Sequence, residues 1–588
     1  SALPDHHHSS VRSYVKPVSE TQKRLCRIWE NVLDTRPIGI EDNFFEIGGD
    51  SIAGIKFSCM ASDEFEKEIH TAYLFKYRTI RRLAAHIDSS VSMPSIEIQV
   101  TKGDKWPLSF SQQRLYFIEQ YEKGTNVYHV PWLVSLSRDI NVEALKRSIQ
   151  AIADRQKVLQ TTFLQDDSGM IWQHFGSEPI KIESRVYRSK THFNELLVSD
   201  VNTPFNLLSD YPMRSVLYQN DTSRYTHLLI NIHHIATDGW SHDILVGTLL
   251  EYYEYFDRGE KIALAPPRIQ YKDFAVWQRS YLNKEVLRYQ LEYWKGKLSG
   301  YKTLNLPTDK SRPKRLMLHG RSVNFALDET LSDSLKVLAK TRGETLYTLM
   351  LTGFYILLYK LTMQQDIILA TPVANRHYSG VQGLIGFFVN NLVLRQDINP
   401  KETANFLLHS VTDNLIQAQS YQDVPFEQLV AELEIEKDIS RHPIFQILFS
   451  VQSFETYNSV EVTRYFTTET LQGIHNVTRF DLECIVNNLG KKISGVITYS
   501  TSLFDKQTIN TFAKQYSCIL GQLVNEASTK PIAKYNLIDN RKYQKITDTW
   551  NKTQCPFPGH KTLPQLFEAQ VAKTPDAVAV VFNDKQLT

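Results

Sequence analysis

The stretch from Ser89 to Lys105 most limits how this chain can fold, because it separates two segments written in different patterns and has no apolar face of its own. Ahead of it, Ser19-Glu20-Thr21-Gln22 reads as a capped helix start. Leu25, Ile28, Trp29, Val32 and Leu33 follow at helical spacing, and a later helix runs over Thr79–Ile87. Beyond it, strand patterns such as Tyr225–Ile230 and Asp366–Ala370 alternate with helical runs such as Thr345–Phe354. A chain of 588 residues also exceeds what a single core can serve. The expectation is a polar linker over 1–18, a small all-α body over 19–88, a tether over 89–105 and a large α/β body after it. Seventeen extended residues reach up to ~55 Å, so the small body could move while attached.

Inside the large body, Asn231-Ile232-His233-His234-Ile235-Ala236-Thr237-Asp238-Gly239-Trp240-Ser241 concentrates chemistry. A half-buried strand delivers two histidines into a turn marked by Asp-Gly. The parts are an imidazole that exchanges a proton near neutrality, a carboxylate that can hold the site, and a backbone N–H for a developing oxyanion. A histidine at a strand end is also commonly a satisfied structural residue. No cysteine lies near and no HExxH spacing occurs, so the pattern gives no support for a metal.

In the small body, Gly48 and Gly49 break any helix ahead of Ser51, and Ile52, Ile55 and Met60 suit a helix after it. Ser51 then stands at a helix N-terminus. It is either a plain N-cap or a place where an attached anion would meet free N–H groups and the positive end of the dipole.

A net charge of +2 offers no electrostatic footprint for nucleic acid or an anionic membrane, and no apolar run approaches a membrane span. The five scattered cysteines lack CxxC spacing, which suggests reduced thiols in a cytoplasmic protein. His6-His7-His8 is assigned no function.

Two motifs carry a resemblance. Asp42-Asn43-Phe44-Phe45-Glu46-Ile47-Gly48-Gly49-Asp50-Ser51 resembles the DxFFxLGGDS core of peptidyl carrier (thiolation) domains, with Ile47 in place of leucine. The His233–Gly239 stretch resembles the HHxxxDG signature of the condensation domains of non-ribosomal peptide synthetases. The family's other condensation motifs also occur in order. Ser109–Tyr116 resembles the first, with Gln112 and Tyr116 as departures. Arg155–Phe163 matches the second only at Arg155, Leu159, Thr161 and Phe163, while Gln156, Lys157 and Gln160 depart from it. Tyr271–Trp277, Ile385–Asn391, Gln422–Glu427 and Asp438–Gln446 resemble the remainder, with Asn391 and His442 as substitutions. Leu566–Val580 resembles the opening of an adenylation domain, and Ala2-Leu3-Pro4 the tail of a preceding one. The chain as a whole resembles synthetases of the tyrocidine type.

The resemblance implies a four-helix carrier bundle followed by a two-lobed α/β domain, with lobes like chloramphenicol acetyltransferase at 106–270 and 271–535. A linker and truncated adenylation segment would occupy 540–588. Ser51 would carry 4′-phosphopantetheine, added by a phosphopantetheinyl transferase. A donor peptidyl thioester would be joined to the amine of an acceptor aminoacyl thioester, with His234 orienting the amine and taking its proton. His233 would place the loop. Asp238 would hold the motif through a buried ion pair, with Arg376 as first partner and Arg114 as second. Gly239 either gives its N–H to the oxyanion or is glycine because the turn demands it. Partners would be upstream and downstream adenylation domains and a downstream carrier domain. The donor carbon is expected to be L-configured, since no epimerisation domain intervenes. The rival readings are an epimerisation domain, which typically follows the motif with serine then tryptophan where this chain has Trp240-Ser241, and an idle carrier-docking module. A heterocyclisation domain would carry aspartates for the two histidines.

Overall fold

The computed structural model describes the chain except for residues 1–13, 50, 68, 90–96, 122–123, 261–265, 283, 379, 434, 436–437, 453–463, 470, 472, 489, 527–528 and 557. His6–His8, Ala2–Pro4 and part of the tether therefore lie outside the described residues. Two units are distinguished, Ser1–Leu537 and Ile538–Thr588.

Among the described residues the small N-terminal body has four helices, Glu20–Leu33, Ser51–Phe65, Ala72–Tyr77 and Ile80–Ser89. The first begins as its sequence predicts. Ser19 accepts from Gln22 N, and the Gln22 side chain answers the cap backbone. Trp29, Phe44 and Phe57 meet edge to face at its centre, the Trp29–Phe44 centroids 4.9 Å apart. The preceding linker is partly recruited, because Val15 packs on this core and its carbonyl accepts from Ile40 N at 3.0 Å.

The described part of the tether differs from the free strand expected at 89–105. Ile98 is buried in the core of the first lobe. Asp273 accepts from Thr101 N at 2.7 Å and from its hydroxyl at 2.6 Å, and the Lys272 ammonium donates to Thr101 O at 2.6 Å. One apolar residue in a polar run is too weak a pattern to show in sequence, yet it anchors this half of the tether.

The first lobe is built on a five-stranded sheet in the order Phe466–Thr468, His129–Leu136, Tyr225–His233, Met213–Gln219, Ile182–Val186, all antiparallel but for the last pair. The second has six strands in the order Asn390–Asp397, Asp366–Val373, Ile447–Gln452, Leu482–Asn487, Ser494–Ser500, Gly320–Ala326, with the second and third pairings parallel and the others antiparallel. Each sheet has its own core.

The lobes exchange chain in three places. Phe466–Thr468 pairs with the first sheet, and Tyr378, Val381, Leu384, Ile385 and Phe388 pack in its core. The helix Tyr271–Tyr281, expected to open the second lobe, instead buries Tyr271 and Phe274 in the first. The helix Lys284–Leu298 is the one that packs on the second core. These exchanges place the second lobe's loops directly against the His-His turn.

The Ile538–Thr588 unit contains the helix Leu563–Lys573 and a hairpin, Val580–Phe582 with Lys585–Leu587. Asn583 takes a left-handed conformation in the two-residue turn, as such hairpins require. Phe567 and Phe582 are exposed.

Candidate active site

The strand Tyr225–His233 ends on His233, and a single 3₁₀ turn, His234–Ala236, follows. His234 N donates to Tyr128 O at 2.7 Å, which fixes the backbone. Its Nδ1 lies 2.7 Å from Thr237 O. A carbonyl can only accept, so Nδ1 carries the proton and Nε2 keeps its lone pair. The ring stands edge-on to Phe387 at 4.8 Å and lines a cavity of about 500 Å³ shared by both lobes. Burial pushes its pKa down to about 4, with Arg479 adding to the effect and Asp238 opposing it. The imidazole is neutral at physiological pH.

His233 is fully buried and turned the other way. Its Nδ1 accepts from Ile235 N at 3.1 Å, so its proton sits on Nε2, 3.5 Å from a Glu119 oxygen. Burial lowers His233 to about 3 and raises Glu119 to about 7. The two histidines thus present opposite tautomers. One faces the cavity, and the other faces a polar pocket inside the lobe.

Asp238 is not only a turn residue. It caps the helix Gly239–Asp257, accepting at Oδ1 from Ser241 N and from Ser241 Oγ, both at 2.8 Å. The same oxygen accepts from Arg376 Nη2 at 3.1 Å, and Oδ2 accepts from Phe388 N at 3.0 Å. Arg376 is fully buried, stacks over Phe388 at 4.0 Å and donates from Nη1 to Val381 O at 2.9 Å and Leu384 O at 2.7 Å. Both its oxygens thus have protein donors, which hold the carboxylate in place. Arg114, the second partner considered, is elsewhere: it donates to Glu427 at 2.8 Å, and its Nη2 lies 3.2 Å from His442 Nε2. Its guanidinium rests over the Phe426 ring at 5.4 Å, so it ties the helix Phe110–Tyr121 to the helix Phe426–Glu432.

Gly239 lines the cavity at the first position of the helix that Asp238 caps. Its φ is not left-handed and a Cβ there would meet nothing within 4 Å, so neither turn nor packing demands glycine. A methyl would project into open space. The N–H at a helix's first turn has no intrahelical acceptor.

Sequence reasoning missed several contributors. Ser241 bridges Asp238, Arg376 and Gly386, its Oγ accepting from Arg376 Nη2 at 2.7 Å and from Gly386 N at 3.0 Å while its single proton is shared between Asp238 Oδ1 and Gly386 O, 2.8 and 2.9 Å away. Gln156, a departure from the second motif, clamps the inserted loop through Gly383 O at 2.9 Å and Ile385 N at 3.0 Å. Arg479 and Glu483 also line the cavity, from residues outside every motif.

At the carrier, the Ser51–Phe65 helix does start at Ser51, whose side chain lies outside the described ones. Gly48 has φ +110°, and a Cβ on Gly49 would fall 2.3 Å from the Phe44 ring, so the two glycines press the loop onto the core and end it at the helix start. That cradle suits an anion-bearing arm on Ser51. Ile55, one turn further on, and Thr71 line the same cavity as His234. The carrier contacts the second half of the chain through Cys59 Sγ, 3.4 Å from Arg376 O and also met by the Gln382 amide. Arg78 donates to Gly343 O and lies 3.8 Å from Glu344.

Comparison with known proteins bears on this arrangement. The family model described as "Condensation domain" matches residues 102–547. The chain belongs to the condensation-domain family. A second model, "Phosphopantetheine attachment site", matches residues 23–87 of this condensation protein. Bacitracin synthase 3 of Bacillus licheniformis is 32% identical over 98% of the chain, and surfactin synthase subunit 1 of Bacillus subtilis is 32% identical over all of it. The chain spans only 9% and 16% of those two relatives. A four-domain nonribosomal peptide synthetase bound to AMP and glycine superposes with TM-score 0.69 at 21% identity, covering 84% of this chain and 38% of that one. The first condensation domain of the CDA synthetase gives 0.62 at 15%, covering 74% and 99%. At those identities the two structures establish the two-lobed fold. Among the described residues, no helix is long and apolar enough to cross a membrane.

Proposed function

We propose that this chain forms a peptide bond, joining a donor acyl group carried on Ser51 to the α-amine of an acceptor aminoacyl thioester. The observation that carries the reading is the geometry of His234, with Nδ1 bonded to Thr237 O and Nε2 left facing a cavity that the carrier's Ile55 also lines. The arm on Ser51 would supply a long, flexible thiol tether holding the donor as a thioester. In the reaction the C–N bond forms, the C–S bond breaks, and the amine proton ends on the released thiol.

An imidazole at about 4 is a weak base toward a free amine. It acts first as a hydrogen-bond acceptor that orients the nitrogen lone pair at the carbonyl. Attack then builds positive charge on nitrogen and negative charge on oxygen, and the nitrogen proton passes to Nε2. Gly239 N–H, at the positive end of its helix, is offered to the oxygen. Asp238 and Arg376 hold the loop and exchange no proton. A site of this form can contribute ~10²–10⁴ through proton transfer, and holding both partners in place contributes alongside it.

The reading extends to upstream and downstream adenylation domains, a downstream carrier domain, a phosphopantetheinyl transferase, and a synthetase of the tyrocidine type. It is tested with the chain loaded at Ser51 and a loaded acceptor carrier, scoring peptide by mass. Peptide from the intact chain that disappears in His234→Ala supports it, and undiminished peptide from that variant overturns the role of His234. Epimerised donor without peptide would favour the epimerisation reading.

A further inference from the structure

The charged groups on the cavity wall are paired, with two exceptions. Asp238 is held by Arg376, Glu427 by Arg114, and Arg441 by Asp438. Glu483 and Arg479 line the same cavity, and among the described residues neither makes a hydrogen bond or an ion pair to a protein group. They lie beyond ion-pair distance of one another. Arg479 instead rests over the rings of Tyr128 and Phe480, at 5.7 and 6.0 Å.

Glu483 sits on the strand Leu482–Asn487, in register with Leu448 on one side and Thr498 on the other. Ile485, two residues on and therefore on the same face, lines the cavity with it, as does Leu448. A carboxylate on an apolar stretch of wall, without a donor among the described residues, is a costly arrangement for folding alone. Burial accordingly raises its pKa, and Arg479 only partly offsets that. The cost is relieved when a cation arrives.

Resting on the peptide-bond reading above, we propose that Glu483 forms a subsite for a cationic side chain, an ammonium or guanidinium, on one of the two amino acids being joined. The apolar wall at Leu448 and Ile485 fits the methylene stem of such a residue, and the carboxylate takes its head, as a lysine- or ornithine-like side chain requires. The chain would thereby add its own selection to any made elsewhere in the synthetase.

The test is a binding measurement, so that it does not depend on turnover. Non-hydrolysable lysyl-pantetheine and norleucyl-pantetheine amides, which match in stem and differ in the terminal charge, are titrated into the full chain. The same pair is installed on Ser51 in a second arm and read by melting temperature. The first arm reports an acceptor side chain and the second a donor. A charged hydrogen bond of this kind predicts a preference for the lysyl compound of roughly 10- to 100-fold, or a higher melting temperature for the lysyl-loaded chain, in one arm. Glu483→Gln should reduce that preference to near unity, and Glu483→Asp should retain part of it. Equal behaviour of the two compounds in both arms, or a preference that survives Glu483→Gln, overturns the subsite. Loss of peptide formation with the preference intact would count against the condensation reading alone.

Discussion

The two lobes treat their polar residues differently where they meet the cavity. On the first lobe, both oxygens of Asp238 have protein partners, and Arg376, Ser241 and Phe388 are tied to the same carboxylate. On the second, Arg479 and Glu483 face the cavity with side-chain hydrogen-bonding capacity that no described residue fills. A network in which both carboxylate oxygens and both terminal nitrogens of the guanidinium are bonded, with only Arg376 Nε left over, has a single arrangement and holds its loop still. An unsaturated one waits for a guest. The contrast separates residues that position the reaction from those that meet what varies between substrates, and mutations on the two sides should fail in different ways.

The largest effect is expected at His234, whose Nε2 keeps its lone pair while the ring lines the cavity. His234→Ala should lower peptide formation by ~10²–10⁴ while the melting temperature changes little, because the ring's single hydrogen bond is to Thr237 O. His233→Ala should do the reverse and lose stability, since its buried ring fills space beside Glu119. If both variants unfold alike, the division of labour between them is wrong.

Next come the partners in the saturated network. Removing one member of a buried ion pair costs ~3–5 kcal/mol, so Asp238→Ala should lower stability together with turnover. Arg376→Ala should do the same, and the double variant should cost far less than the sum of the two. Additive losses, measured by denaturant unfolding, would show that the pair does not act as a unit.

These two positions also show how much was readable beforehand. The His-His-Asp-Gly stretch announced its strand and its turn, because those depend on neighbours in sequence, whereas the ion pair of Asp238 with Arg376, 138 residues away, was expected only through the family resemblance. The helix that Asp238 caps was missed, as the Asp-Gly pair reads equally as a turn. The carrier's first helix was legible to its cap, since Ser19 and Gln22 lie three residues apart. Arg114 was misplaced as a partner because pairing with Glu427, 313 residues away, is decided by how the lobes close. The lobe exchange at Tyr271 was hidden for the same reason, and the anchor at Ile98 because one apolar residue makes no pattern. Arg479 and Glu483 carried no signal at all, as alternation on a strand cannot distinguish a cavity from solvent.

A third expectation is pH dependence, and it follows from the buried imidazoles around the cavity. His234, His129 and His475 are lowered to about 4, and His233 and His442 to about 3, in each case chiefly by burial. Their folded values lie below the unfolded 6.5, so between about 4 and 6.5 the unfolded chain binds more protons. Stability therefore falls as pH drops through that window, by about 1.4 kcal/mol per pH unit for each uncompensated histidine. Glu119, raised to about 7, and Asp243, raised to about 6, have the opposite sign and offset part of it. The melting temperature should be lower at pH 5 than at pH 7, and His475→Asn should flatten the slope. A Tm that is level or rises toward pH 5 would contradict the burial of these rings.

The smallest effect is expected where the carrier touches the large domain, and it sharpens the comparison from outside the cavity. That contact has neither the saturation of the Asp238 network nor a waiting charge. Arg78 reaches Glu344 at only 3.8 Å and is part-exposed, and Cys59 meets backbone carbonyls near Arg376. Partly exposed ion pairs contribute ~0–1 kcal/mol, so Arg78→Ala should reduce single-turnover transfer from Ser51 by no more than about fivefold. A weak contact fits the proposed function, in which the carrier would also have to reach other partners. The described half of the tether is pinned through Thr101 and Ile98, so the reach expected of residues 89–105 does not draw on 97–105 in this arrangement. Weakening the pinned half with Ile98→Ser and Thr101→Ala, which removes the hydroxyl's bond to Asp273 but keeps the backbone ones, should then change transfer little, while deleting residues from 90–96 should stop it. Were the deletion harmless and Arg78→Ala severe, the carrier would be held at the cavity as a fixed part of the domain, and the contrast between a saturated site and a loosely docked donor would fail at its outer edge.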